Sequence, residues 1–235
     1  VIVSALVLQN DGNTTHGVET YLSRFDHLVR LELPIVFYLD RAITPPTYPW
    51  WVKVIPVRLK ELDTYKLLSS KEDIQLPTSR NVQKDTFDFL ALMNAKAEFV
   101  HRAMALCESH RLTWLDCGVS HVLKDLDSLK CLNDLYRLPE GIIIPGPREK
   151  GIVSPSSIHW RFCGGLVSGD RNSWNTFYAT CNQVMLSLLP KVTWEVNIWA
   201  LLEQQGFPIR WFYGDHNDSM LNFKSVFSET PCANI

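Results

Sequence analysis

Short apolar runs of four to eight residues alternate along the chain with longer segments whose apolar positions recur every three to four residues. That alternation is the mark of an α/β layer fold with a largely parallel sheet, because each return to a parallel strand needs a crossover helix. Strands are predicted over 1–8 ("VIVSALVL"), 35–40 ("IVFYLD") and 51–57, with "GVETYLSRFDHLVR" (17–30) as the first crossover helix. "TPPTYPWW" (44–51) reads as an ordered loop, since its prolines cannot donate to a ladder and its aromatics favour burial. Residues 58–81 read as a long irregular excursion of the kind that serves as a lid or binding loop.

A helix is expected over 86–110, apolar nearly all round and so packed within the core. Asn94 and Lys96 interrupt it and, at about 100° per residue, point to opposite sides. Lys96 reads equally as a snorkelling surface lysine or as a ligand contact. A strand at 112–116 and a helix at 121–136 follow, then "GIIIPG" (141–146), "SIHWRFCGGLVSGD" (157–170) and a helix through about 189. The segment 193–206 reads as a short helix with Thr193 as N-cap and Gly206 as its stop. A last strand within 207–218 runs into a charged turn. No repeat, low-complexity tract or linker breaks the chain, so residues 1–235 are expected to form a single domain.

Composition narrows the partners. The 235 residues are 46% hydrophobic with a formal charge of -2 and a pI near 6.4, which argues against a nucleic-acid footprint or a polybasic membrane anchor. Small molecules or other proteins remain. The six cysteines form no CxxC or CxxH pair and read as reduced thiols in a cytoplasmic setting. The apolar N-terminus lacks a basic lead and reads as a buried strand, and no apolar run approaches the ~20 residues of a membrane span. The missing initiator Met suggests trimming or a domain of a larger polypeptide.

The candidate chemistry gathers at predicted element ends. "TWLDCG" ends its strand at Asp116, where open α/β sheets bind ligands; a carboxylate there is able to hold Mg²⁺ or Mn²⁺ bridged to substrate phosphates. Asp and Gly are equally plain turn residues. "LDCG" also echoes the first motif of S-adenosylmethionine-dependent methyltransferases, although its glycine pattern stops at Gly118. Neither GxGxxG nor GxxxxGK[ST] occurs. Gly164 and Gly165 mark a bulge or a close backbone approach. "YGDHND" places Asp215, His216 and Asp218 in one turn, a set able to serve a hard metal or simply to be solvated. Glu195 lies in a helical first turn, where the helix dipole alone would favour it.

In this order, "WLDCG", "FCGG", "TWEVNIW" and "WFYGDHND", joined by "LPIVFYLDR" and "LMNAKAEFV", resemble the HtrL/YibB-type proteins, themselves similar to glycosyltransferases of the GT-A fold. The resemblance spans about residues 33 to 220. It implies an α/β fold with a GT-A-like (Rossmann-like) mixed, mostly parallel central sheet flanked by helices, a nucleotide-sugar half (1–120) and an acceptor half (121–235), a UDP- or GDP-sugar donor, a glycan or other acceptor and a divalent ion. Asp116 would open the DxD metal motif, whose second aspartate is Gly118 here, and His216 would join the metal. The resemblance further implies Gly164 and Gly165 shaping the sugar pocket, Glu195 as the base of an inverting transfer, and Lys96 or Arg80 neutralising the diphosphate. A methyltransferase and a non-catalytic nucleotide-sugar-binding module are the alternatives.

Overall fold

The computed structural model describes residues 1–9 and 17–223. Seven strands form one sheet: β1 (Ile2–Leu6), β2 (Ile35–Asp40), β3 (Val52–Val57), β4 (Arg111–Leu115), β5 (Ile142–Gly146), β6 (Leu166–Asp170) and β7 (Ile209–Tyr213). Their order is β3-β2-β1-β4-β6-β5-β7. Four of the pairings are parallel, and β6 runs antiparallel to both of its neighbours. The hydrophobic pattern predicts a largely parallel α/β sheet, and the antiparallel β6 makes it the mixed, mostly parallel one that the GT-A resemblance implies.

Alternation along the strands sends side chains to two buried faces. Val3, Val36, Tyr38, Leu112 and Trp114 enter one core, together with residues of helices α3 (Phe87–Asn94), α4 (Lys96–Met104), α5 (Arg171–Leu188) and α6 (Glu195–Gln204). Ile2, Ile35, Phe37, Leu39 and Leu115 enter the other, under α1 (Val18–Val29) and the segment after residue 125. Helix α2 (Asp63–Leu68) begins where the buried Glu98 carboxylate accepts the Asp63 and Thr64 N–H groups at 2.8 and 2.7 Å. Among the described residues no helix is long and apolar enough to cross a membrane.

Several local expectations change. The helix expected at 86–110 breaks at Ala95 and ends at Met104. Just before the break, the Asn94 amide donates to Leu90 O and Thr193 O, both at 2.8 Å. The helix expected at 121–136 is a run of 3₁₀ turns over Leu126–Arg137, started by Asp125, whose side chain accepts from Asp127 N. Its leucines at 126, 129, 132 and 135 recur every third residue, which matches three residues per turn and not 3.6. The excursion at 58–81 is partly ordered by α2 and by a bridge from Gln75 to Lys191. In the 44–51 loop Trp51 is half-buried and donates to Val29 O, but Trp50 is 90% exposed. The N-cap of α6 is Trp194, so Glu195 is its first residue; Thr193 Oγ1 instead accepts from the Asn197 amide. The helix does stop at Gly206, whose φ of 92° suits glycine.

Candidate active site

From β1 the chain moves to β2 and β3 on one side, and β4 then pairs with the opposite side of β1. The connections therefore diverge between β1 and β4, and the crevice beyond the carboxyl ends of two such strands is where an open α/β sheet leaves room for a ligand. A cavity of about 610 Å³ occupies this position, lined by Ala5, Leu6 and Val7 at the end of β1, by Trp114, Asp116 and Gly118 around the end of β4, and by Gly164, Gly165, Glu195 and His216. Because β6 is antiparallel, its start, where the glycines lie, falls at the same end of the sheet as the finish of β4.

At the floor of the cavity stands Lys96, which is 2% exposed. Its Nζ donates to Gly164 O at 2.8 Å and to Glu195 Oε1 at 3.0 Å, and lies 3.1 Å from Asp116 Oδ1. The surface reading of Lys96 is therefore excluded. Burial by itself pushes the Lys96 pKa down, but the Asp116 and Glu195 carboxylates outweigh it and leave the pKa raised, so the ammonium is charged at neutral pH. Its three hydrogens match these three acceptors, so none is left for direct donation to a diphosphate.

Asp116 is the more open of the two acids, its side chain 39% exposed. Its backbone N–H donates to Gly165 O at 3.0 Å, and its Oδ1 accepts from Trp114 Nε1 at 2.7 Å. The chain then turns through Gly118 into a 3₁₀ turn at Val119–Val122. No α-helix follows directly, unlike the strand-to-helix junction that the methyltransferase alternative requires. Glu195 is buried at the first turn of α6. A Cβ on Gly164 would collide with Glu195 Oε1 and lie 3.2 Å from Lys96 Nζ, so only glycine leaves room for this ion pair. Gly165 is less constrained: a Cβ there would meet Met220 Cε at 3.0 Å and Asp116 Oδ2 at 3.7 Å. The pair precedes β6 and does not bulge it.

His216 also lines the cavity. Its Nδ1 lies 3.2 Å from Asp215 Oδ1 and 3.8 Å from Cys163 Sγ, and its ring meets Trp160 edge-on with centroids 5.1 Å apart. Burial and the neighbouring Asp215 carboxylate push the Cys163 thiol up to about 12. Asp218, the third polar member of the turn, serves structure: it accepts the Lys124 and Asp125 N–H groups, both at 3.1 Å. Arg80 bends back to donate to Pro77 O at 3.0 Å, while its neighbours Ser79 and Asn81 line the cavity. The lining also includes Lys84 and Tyr21, which the sequence reading did not single out. Lys84 lies in the "RNVQKD" loop with its Nζ 5.2 Å from the Phe89 ring centroid, and no periodicity marks such a position.

No family model and no curated protein matches the chain. Among solved structures it is similar to mouse xyloside xylosyltransferase 1 in its apo form, at 9% identity over 90% of this chain and 84% of that one, with a TM-score of 0.45. A CMP:2-keto-3-deoxy-manno-octonic acid synthetase complexed with CTP is similar at 10% identity, 91% and 89% coverage and a TM-score of 0.45. The bifunctional IspDF from Campylobacter jejuni is similar at 11% identity over 91% of this chain and 49% of that chain, with a TM-score of 0.42. Overlap at this level assigns neither a family nor an activity.

Proposed function

We propose that the cavity binds a UDP- or GDP-linked sugar and transfers the sugar, with inversion, to a hydroxyl of a glycan acceptor. The observation that carries this reading is the convergence of Asp116, from the 1–120 half, and Glu195, from the 121–235 half, on one cavity at the divergence of β1 and β4, joined by the buried Lys96. The resemblance of "WLDCG", "FCGG" and "WFYGDHND" to HtrL/YibB-type proteins supplies the reaction class.

The donor set suits Mn²⁺ or Mg²⁺ bridged to a diphosphate, which takes only one or two hard protein ligands and leaves the rest to phosphate and water. Asp116 offers a half-exposed carboxylate on the cavity wall, and His216 offers Nε2 when Nδ1–H is donated to Asp215. A bound ion would offset the charge that builds on the departing diphosphate. Lys84 also lines the cavity and offers a further cation for that charge. Glu195 takes the proton of the acceptor hydroxyl as the bond to the anomeric carbon forms. Lys96 holds that carboxylate in place, and Gly164 keeps the space in which the two meet.

The test is release of nucleoside diphosphate from UDP- and GDP-sugars, with and without acceptor glycans, by wild type and Glu195→Gln. The glutamine keeps size and still accepts from Lys96, so the variant is expected to fold and bind donor while transfer falls by ~10²-fold or more. Near-wild-type transfer by Glu195→Gln would place the base elsewhere or make the reaction retaining.

A further inference from the structure

We propose that Cys163, Asp215 and His216 form a three-ligand site for a zinc-class divalent ion, separate from the ion that the transfer reading places against the diphosphate. Cys163 Sγ lies 3.8 Å from His216 Nδ1, and His216 Nδ1 lies 3.2 Å from Asp215 Oδ1. All three donor atoms fall within 4.8 Å of one another. Zn²⁺ bonds of ≈ 2.3 Å to sulfur and ≈ 2.0–2.2 Å to nitrogen and oxygen put the donors of a tetrahedral shell ~3.3–3.6 Å apart, so small side-chain adjustments would close this set around an ion.

The same contacts argue against a Cys-His-Asp nucleophilic relay. A relay needs the thiol and the carboxylate on opposite ring nitrogens, whereas here both face Nδ1. Atoms that converge on one point from three side chains suit a cation at that point.

The backbone holds the site ready. Cys163 N–H donates to Pro145 O at 2.8 Å and Gly214 N–H donates to Gly146 O at 3.2 Å, so the segment before β6 and the turn after β7 are both fastened to the end of β5. Arg161, two residues before Cys163, makes a buried two-pronged ion pair with Glu203 of α6, at 2.9 Å for each prong. The Asp215 and His216 side chains are 48% and 40% exposed, which leaves an entry path and a fourth position for water. A thiolate, an imidazole and one carboxylate favour Zn²⁺ or Co²⁺ over Mg²⁺ or Mn²⁺. Binding forms the metal–sulfur bond and releases the Cys163 thiol proton to solvent, with no change of oxidation state. One consequence rests on the transfer reading: an ion on Nδ1 leaves the proton on Nε2, so zinc occupancy would withdraw His216 from the catalytic ion.

Titration of the whole protein with Co²⁺ alone tests the site, with no nucleotide present. The expected result is a near-stoichiometric complex with a sulfur-to-cobalt charge-transfer band in the near ultraviolet and tetrahedral visible bands, both displaced by Zn²⁺. Cys163→Ser should abolish the charge-transfer band. Asp215→Asn, at a half-exposed position outside the apolar core, should weaken Zn²⁺ by at least ~10-fold, the lower end of what loss of even an outer-shell partner costs. Absence of the band in wild type, or unchanged Co²⁺ affinity in both variants, would overturn the site. Neither result bears on nucleotide binding, so the two proposals fail separately.

Discussion

A buried ammonium has to satisfy three hydrogens inside the protein, and Lys96 does so with two carboxylates and one carbonyl. The arrangement depends on a missing side chain. Gly164→Ala would drive a methyl into Glu195 Oε1, and overpacking of this kind costs ~1–3 kcal/mol. With about 2–4 °C per kcal/mol for a chain of this size, the melting temperature should fall by several degrees. Transfer should fall further than stability alone accounts for, because Glu195 itself is displaced. A variant with wild-type melting and wild-type transfer would show that the glycine is not needed. The sequence marks Lys96 as an exception within an apolar helix, but its partners come from positions 116, 164 and 195, and no local pattern states which of them meet. For the same reason "YGDHND" reads as one cluster, although Asp218 is spent on the 124–128 loop while Asp215 turns to His216.

Secondary structure was most legible where one period dominates. β2 falls on 35–40 as expected, and β1, β3 and β4 differ from expectation only at their ends. Over 126–135 the apolar positions recur every third residue, so the segment expected as a helix winds as 3₁₀ turns. The start of α6 was misread because the Thr193 hydroxyl engages the Asn197 side chain and does not cap the backbone. Capping is clear at α5, where Asp170 accepts from Ser173 N at 3.0 Å, from Ser173 Oγ at 2.6 Å and from Gly141 N at 2.7 Å. Burial pushes the Asp170 carboxyl up, but these hydrogen bonds outweigh it and hold it at about 2. A folded pKa below the unfolded value of ~3.9 stabilises the protein above that pH, and the contribution is lost as pH falls toward 2. Asp170→Ala should therefore cost ~0.5–2 kcal/mol at neutral pH, and that difference should shrink between pH 4 and 2. Urea melts at pH 7, 4 and 3 check it; a difference that stays constant would remove Asp170 from the acid limb.

Across the whole molecule, short continuous apolar runs alternating with helical segments predict a largely parallel α/β sheet, and the divergence of connections at β1 and β4 then fixes where a cavity opens. The sequence alone does not show β6 running antiparallel, the reversal that brings Gly165 beside Asp116. Reduced cysteines were expected, and the five described ones are free, with Cys232 outside the described residues. Cys117, Cys163 and Cys181 are buried, Cys107 is intermediate and Cys131 exposed. Burial, with Asp116 adding to it at Cys117, raises the thiol pKa values of Cys117 and Cys181. Alkylation of the native protein followed by peptide mapping should label Cys131 first and Cys107 more slowly, with the three buried thiols reacting only after denaturation. A disulfide among these five would contradict the fold described. The central claim is that Asp116 and its neighbours hold a metal–diphosphate, and calorimetric titration of UDP and GDP with and without Mn²⁺ tests it most directly. Wild type is expected to bind at least one nucleotide in an Mn²⁺-dependent way, with binding strongly weakened in an Asp116→Asn variant that melts as a folded protein. Equal affinity in the two proteins, or binding of S-adenosylmethionine with none of either nucleotide, would contradict it.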